Sequence, residues 1–172
     1  PLAALKAADA PAPTRDGSPR LFPGFDWDRV PVNVHFGKRG QMTDTELDFV
    51  ASHSQLVTLE KSHGVEAHGR TEHGITETAR QLKQRNPRVK VLFYFNAFVN
   101  WPAYGAVASY RPEWTLRNVK GHVVKHPSGT PRPDPSKAEF REWWSEAVAQ
   151  AVKSGNLDGG SHTADSIPLV PF

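Results

Sequence analysis

The stretch RVKVLFYFNAF, residues 88–98, decides the fold class of this chain. Its nearly continuous apolar and aromatic character is typical of a strand that is covered on both faces, as in a parallel sheet. Parallel strands need crossover connections, which are usually helices. The sequence on either side of residues 88–98 should therefore supply further strands and the helices between them.

Shorter strand signals and helix signals alternate before this stretch. Two β-rich runs are VPVNVHFG, residues 30–37, and SQLVTLEK, residues 54–61. Thr43 and Glu46 have the spacing of a capping box, so a helix should begin there. Residues 75–86, ITETARQLKQRN, have apolar residues at helical spacing and are followed by a proline, which predicts a second helix.

A long insertion separates residues 88–98 from the next helix. Residues 100–134 contain Trp, Gly and Pro, and they predict a short helix near Pro102–Ser109. Ser136 and Glu139 form a second capping-box pattern, followed by an apolar stripe that should end at Gly155. The remaining residues, LDGGSHTADSIPLVPF, predict a fourth strand.

The order β-α-β-α-β-insertion-α-β predicts an α/β fold with a parallel sheet. These parallel β/α units are equivalent to the first half of a TIM-type barrel, with a small open sheet as the alternative. A complete barrel takes about 250 residues, and this chain has 172. We expect residues 1–23 to be a flexible Ala/Pro-rich N-terminal segment and residues 24–172 to form the β/α half-barrel-like domain.

Composition excludes several classes of function. The chain has no Cys, which rules out disulfides, thiolate metal sites and cysteine nucleophiles. No apolar run approaches the length of a membrane span. The formal net charge is only +3, so nucleic acid is not a favoured partner.

The Ala- and Pro-rich start, which is preceded by no Met, leads us to expect a secreted or periplasmic protein.

Polar residues recur near the carboxyl ends of the predicted strands. Alternation places His35, Glu60, Asn96 and Asp165 on the face of their strands opposite to the apolar residues. Ligands bind at the carboxyl ends of the strands in parallel α/β folds. These four side chains should therefore converge on one pocket, although any one of them could instead cap a loop or face solvent.

Several motifs resemble a known family. The runs VPVNVHFGK, LVTLEKSHG, NPRVKVLFYFNAF, RPEW and FREWW, followed by DG and ADSI, are similar to the N-terminal half of a hypothetical glycoside-hydrolase-like (β/α)8-barrel family. The resemblance covers about residues 25–170 and extends to α-amylase-type barrels. It implies a polysaccharide or oligosaccharide substrate and carries over Glu60 in TLEK, Asn96 in FYFNAF and Asp165 in ADSI as site residues.

Glycoside hydrolysis usually needs two carboxyl groups, about 5–5.5 Å apart for retention and about 6.5–9.5 Å apart for inversion. Asp165 and Glu60 are the strand-end pair here, with Asp165 as nucleophile or base and Glu60 as acid or substrate anchor. His35, Asn96, Tyr94 and Trp101 are the candidate substrate-binding residues. Both carboxylates could instead only bind sugar hydroxyls or pair with basic residues such as Lys61.

Histidines recur at five-residue intervals after the second strand. His63, His68 and His73 lie in SHGVEAHGRTEHG and could hold Zn²⁺ or Cu²⁺. A solvated polar loop is the alternative interpretation, in which case no cofactor is needed.

Three hypotheses about function follow from these patterns. The first is a glycoside hydrolase-like enzyme, or a fragment of one. The second is a non-catalytic carbohydrate-binding or self-assembling structural protein, and the third is a metal protein built on the His loop. Because half a barrel leaves open sheet edges, we also expect a homo-oligomer or a completing chain.

Overall fold

The computed structural model describes residues 32–161, in which four short strands form one parallel sheet. Each strand pairs with the next along the chain, in the order β1-β2-β3-β4. The strands are β1 (Asn33–Phe36), β2 (Leu56–Leu59), β3 (Lys90–Tyr94) and β4 (Gly159–Ser161). The predicted α/β fold of parallel β/α units is confirmed. The predicted N-terminal segment 1–23 and Asp165 lie outside the described residues.

Helices fill the connections between the strands. They are α1 (Asp44–His53), α2 (Val65–His68), α3 (Thr71–Arg85) and α4 (Ala138–Ser154). Two 3₁₀ turns, Gly105–Ser109 and Pro112–Trp114, lie in the insertion between β3 and α4. No helix among residues 32–161 is long and apolar enough to cross a membrane.

One of the two predicted capping boxes forms. Thr43 Oγ1 accepts a hydrogen bond from Glu46 N, and the Glu46 carboxylate accepts one from Thr43 N at 2.8 Å. The second prediction is wrong, because Lys137 is the N-cap of α4 and makes no capping hydrogen bond through its side chain. The Ser136 hydroxyl instead donates to Asp134 Oδ1 at 2.6 Å, so a neighbouring carboxylate has taken the group that would have capped the helix.

The hydrophobic core lies between one face of the sheet and the helices. Strand residues Val57, Leu59, Val91 and Phe93 are buried there. Apolar residues of the helices pack against them, including Leu47 and Val50 of α1, Ile75, Ala79 and Leu82 of α3, and Ala151 of α4. Burial of this apolar area is the main stabilising contribution to the fold.

Strand register sets which residues share the opposite face. His35 of β1 lies beside Thr58 of β2, which lies beside Leu92 of β3. Two residues further along, Glu60 and Tyr94 follow on the same face, because side chains alternate along a strand. In the described part of the chain β1 and β4 each have a partner on one side only, so the sheet has two open edges.

The insertion folds into a small antiparallel unit, which we call the meander (residues 114–134). Three backbone hydrogen bonds close a ring among its three arms, since Leu116 N donates to Arg132 O, Arg132 N to Val124 O and Val124 N to Leu116 O, at 2.8–3.0 Å. Gly121 and Gly129 have φ of +80° and +85° at its two turns, where a side chain would be strained. The meander is therefore held by its own backbone.

Candidate functional site

The site lies where β1, β2 and β3 end, and we call it the strand-end site (His35, Glu60, Lys61, Tyr94 and Trp101). His35 Nε2 lies 3.9 Å from Glu60 Oε2, and the rings of His35 and Tyr94 are 5.4 Å apart. The side chains of His35 and Glu60 keep 35% and 29% of their surface exposed. His35 and Glu60, two of the four side chains that the sequence predicts to converge, therefore lie together, and Tyr94 lies beside His35.

Lys61 joins these side chains together. Its Nζ donates to Glu60 Oε2 at 2.7 Å. The same ammonium group lies 5.5 Å from the ring centre of Trp101 and 5.9 Å from that of Tyr94, within the range of cation–π attraction. Sequence reasoning treated Lys61 only as a possible ion-pair partner of the two predicted carboxylates.

In the described structure only one of the two carboxylate oxygens of Glu60 accepts a hydrogen bond. Oε2 accepts from Lys61, whereas Oε1 has no hydrogen-bond partner among residues 32–161. Gly37 leaves room for this side chain, because a Cβ at Gly37 would lie 3.0 Å from Glu60 Cγ and 3.0 Å from Lys61 O. Glu60, whose side chain keeps 29% of its surface exposed, can therefore offer Oε1 to a ligand.

Trp101 is a half-buried aromatic residue beside Lys61, and it packs partly against the hydrophobic core. Its ring meets His126 of the meander edge to face, with ring centres 5.2 Å apart. Asn100 N donates to Pro131 O, which ties the same loop to the meander. His126 is a site neighbour that sequence reasoning missed, since only the fold of the insertion brings it to Trp101.

Buried hydrogen bonds hold the loop that carries Trp101. The Tyr104 hydroxyl donates to Tyr94 O at 2.6 Å, and burial raises the pKa of Tyr104 far above its ordinary value. The Glu72 carboxylate accepts from Gly105 N and Ala106 N at 2.9 and 3.0 Å. Thr71 Oγ1 donates to Ala103 O at 3.0 Å. These bonds fix the position of the loop relative to β3 and α3.

Tyr94 and Asn96 are buried, with only 3% and 4% of their surface exposed. Asn96 Oδ1 accepts from Phe98 N and Val99 N at 2.7 and 2.9 Å, and Asn96 Nδ2 donates to the Tyr94 hydroxyl at 2.8 Å. Asn96 therefore turns the chain after β3 and orients Tyr94. In the described structure Asn96 is therefore a buried partner of Tyr94, which itself belongs to the strand-end site.

The three histidines of the proposed metal loop do not come together as a metal site. No group of three or more His, Asp or Glu side chains within residues 32–161 could hold a metal ion. His63 is 1% exposed, its Nδ1 accepts from Lys38 N at 3.2 Å, and its Nε2 lies 2.9 Å from Thr78 Oγ1. Both ring nitrogens are engaged, which suits a structural role.

Burial lowers the pKa of His63 to about 4, with the charges of His68 and Lys38 acting in the same direction. His68 belongs to the short helix α2, and His73 is exposed on α3. At neutral pH His63 is therefore an uncharged core residue. The described structure explains this histidine by packing and hydrogen bonding.

Comparison with known proteins extends the sequence resemblance. A family model described as "Hypothetical glycosyl hydrolase family 15" matches residues 83–160, from the end of α3 through the insertion and α4 to β4. A search of curated proteins found no match.

Solved structures share the fold at low sequence identity. A noncanonic maltogenic alpha-amylase, AmyB, from Thermotoga neapolitana is 15% identical, with a TM-score of 0.53, over 82% of this chain and 40% of the amylase chain. An alpha-amylase from Lactobacillus plantarum is 12% identical, with a TM-score of 0.52, over 82% of this chain and 39% of its own. A hypothetical protein from Ruminiclostridium thermocellum ATCC 27405 is 13% identical, with a TM-score of 0.54, over 78% of this chain and 77% of its own.

The chain thus spans about 40% of the length of the amylases that it matches. Identities of this size show a common fold. The sequence match over residues 83–160 confirms the resemblance to glycoside-hydrolase-like proteins, and the described fold is that of the first parallel β/α units of such a barrel.

Proposed function

We propose that this chain is carbohydrate-active and that a sugar binds at the strand-end site. The observation that carries the proposal is the junction at Lys61, whose ammonium lies 2.7 Å from the Glu60 carboxylate and 5.5 Å from the Trp101 ring centre. A carboxylate, an ammonium and an indole at the carboxyl ends of parallel strands are suited to a ligand with hydroxyl groups and apolar ring faces.

Each group would have a distinct role toward a sugar. The Trp101 ring offers an apolar surface for the C–H face of a pyranose. Glu60 Oε1 would accept a hydrogen bond from a sugar hydroxyl, and the remaining Lys61 protons would be donated to sugar oxygens. His35 borders the carboxylate and would contact the same sugar unit.

A glycoside hydrolase-like reaction is the proposed activity. Glu60 would serve as one of the two carboxyl groups, and Asp165, which lies outside the described residues, stays the predicted second one. The family model supports this proposal by its description, and the amylase neighbours support it by their fold.

A non-catalytic carbohydrate-binding protein is the second candidate. It is favoured by the 2.7 Å pairing of Glu60 with Lys61, because this arrangement suits recognition of hydroxyl groups without any bond cleavage. Turnover distinguishes the candidates, since both predict binding and only the first predicts product.

We propose that a partner chain covers the open edge of the sheet at β1. Phe49 on α1 is 62% exposed, and a groove of about 440 Å³ beside it is lined by Val34, Phe36, Met42 and Val50. A completing chain or a second copy of this chain would bury these residues, as apolar surface of this kind favours association.

A binding titration tests the proposed site. Oligosaccharides of several compositions are titrated into the chain, into Trp101→Ala and into Trp101→Phe. Loss of a stacking ring should weaken binding about three- to tenfold for Trp101→Ala, whereas Trp101→Phe should retain most of the affinity. Equal affinities of all three proteins for every sugar would refute the proposed site.

A further inference from the structure

The basic residues of this chain are distributed unevenly. Between Thr115 and Pro133 the sequence has four Lys and Arg residues and no Asp or Glu, in a chain whose formal net charge is only +3. The four are Arg117, Lys120, Lys125 and Arg132. Asp134 is the one acidic residue of the meander, so four positive charges against one negative charge leave this unit a net charge of +3.

None of these four side chains has an acidic partner within 4 Å in the described part of the chain. The ion pairs there involve residues of other segments, such as Lys38 with Glu46 and Lys83 with Asp158. Arg117 Nη1 donates to the backbone oxygen of Gly121, and this bond leaves its charge uncompensated. Arg117, Lys120 and Lys125 are exposed and Arg132 is half-buried, so solvent screens the four charges and a ligand can reach them.

The basic part of the meander adjoins the strand-end site. His126 contacts Trp101, and Pro131 accepts the hydrogen bond from Asn100 N. Lys125 pairs with Pro131 across the meander, so Arg132, one residue after Pro131, lies on the face opposite to Lys125 and on the same face as His126. The ring of backbone hydrogen bonds fixes these positions.

We propose that the meander selects a negatively charged glycan, one whose sugars carry carboxylate or sulfate groups, for the strand-end site. This inference rests on the proposed function and specifies its substrate class. A chain lying on Trp101 would extend past His126 toward Arg132 on the same face, where uncompensated positive charge would attract its negative groups. Arginine presents a planar fork that matches both carboxylate and sulfate oxygens.

Titration at low ionic strength tests the inference with three ligands of equal length. Oligogalacturonate carries carboxylates, a heparin-derived oligosaccharide carries sulfates, and a maltooligosaccharide is neutral. The two anionic ligands should bind about tenfold or more tightly than the neutral one, and this preference should shrink as salt is added. The stronger of the two anionic ligands identifies which group the meander selects.

Arg132→Gln is the test variant, and Lys153→Gln on the exposed last turn of α4 is the control. Loss of one half-exposed charge contact should weaken anionic binding about two- to fivefold for Arg132→Gln. The control should bind as the wild-type chain does, and binding of the neutral ligand should not change in either variant.

Four outcomes would overturn the inference. Equal affinity for neutral and anionic ligands, or equal effects of Arg132→Gln and Lys153→Gln, would refute charge selection, and a loss of binding in Trp101→Ala would then still support the sugar site. Binding of none of the three ligands would refute both proposals. Equally tight binding of single-stranded DNA that Trp101→Ala leaves unchanged would show a surface for polyanions in general.

Discussion

Glu60 and Lys61 are consecutive in the sequence, yet their side chains meet at 2.7 Å on the same side of the sheet. Glu60 N still donates to Phe36 O, so Glu60 continues the alternation of β2, whereas Lys61 lies beyond the strand and no longer follows it. The ammonium group is thereby placed between the carboxylate and the rings of Tyr94 and Trp101. This geometry makes the end of β2 the centre of the candidate site.

Substitution of Gly37 tests whether sugar binding depends on the position of the Glu60 side chain. In Gly37→Ala the new Cβ would lie 3.0 Å from Glu60 Cγ and from Lys61 O, so the Glu60 side chain has to move. We expect sugar binding to weaken about three- to tenfold with a loss of stability of about 1 kcal/mol.

Gly40→Ala is the control, because its Cβ would make only an ordinary contact of 3.7 Å with Glu66. Calorimetric titration and urea unfolding measure the two effects separately. Unchanged affinity in Gly37→Ala would show that ligand binding does not depend on the placement of Glu60.

His63 makes stability depend on pH. Its pKa is about 4 in the folded chain, against about 6.5 when unfolded. The unfolded chain therefore binds more protons between these values, and the free energy of unfolding should fall by up to about 3 kcal/mol as pH decreases from 6.5 to 4. The stabilising contribution is fully present above pH 6.5.

Urea unfolding at several pH values measures this dependence. His63→Gln should flatten the curve between about pH 6.5 and 4.5, above the range in which carboxylates titrate. His53→Gln, at an exposed histidine of α1, should keep the wild-type slope. A wild-type slope in His63→Gln would contradict the assignment.

Asp158 anchors β4 to the sheet from the end opposite to the site. Burial disfavours its charge, but hydrogen bonds from Lys83, Val91 N and Lys90 outweigh burial and hold the pKa of the carboxyl below its ordinary value. Asp158→Asn should reduce the free energy of unfolding by about 1–3 kcal/mol at pH 7.

The loss of stability caused by Asp158→Asn should be smaller at low pH. A carboxyl with a lowered pKa stabilises the fold above about pH 4 and loses that contribution as pH falls through its folded pKa. The difference between Asp158→Asn and wild type should therefore shrink below pH 4. Asp48→Asn, which breaks an exposed pair with Arg85, should cost less than about 1 kcal/mol.

The exposed apolar edge predicts self-association or binding of a completing chain. Sedimentation velocity of the purified chain should show a dimer or a larger species at micromolar concentration if a second copy covers the edge. Phe49→Ser should shift this species toward the monomer. Val119→Ser is the control and should not shift it, because Val119 is an exposed apolar residue of the meander, away from the groove beside Phe49. A strict monomer at every concentration would contradict self-association.

Much of the fold could be predicted from the sequence. The order of strands and helices follows from apolar periodicity, and the shared face of His35, Glu60 and Tyr94 follows from alternation within short parallel strands. The capping box of α1 is local and formed as predicted. The predicted capping box of α4 did not form, because the Ser136 hydroxyl donates its hydrogen bond to Asp134 instead.

Features that depend on long-range contacts could not be predicted. His63 looked like a metal ligand by spacing, but Lys38 N and Thr78, which are distant in sequence, engage both ring nitrogens. His126 reaches Trp101 only through the fold of the meander. Asp165 as a site residue, the secreted or periplasmic location and the oligomeric state stay predictions.

The central claim is that this chain is carbohydrate-active and that Glu60 is one of its catalytic carboxyl groups. Release of reducing ends from a panel of neutral and anionic oligosaccharides tests this claim most directly. The measurement compares the wild-type chain with Glu60→Gln and with Glu66→Gln, an exposed glutamate of α2 that pairs with Arg39. Loss of a catalytic carboxyl group should slow turnover at least about 100-fold in Glu60→Gln, and Glu66→Gln should match wild type. Equal rates for Glu60→Gln and the wild-type chain would contradict the claim.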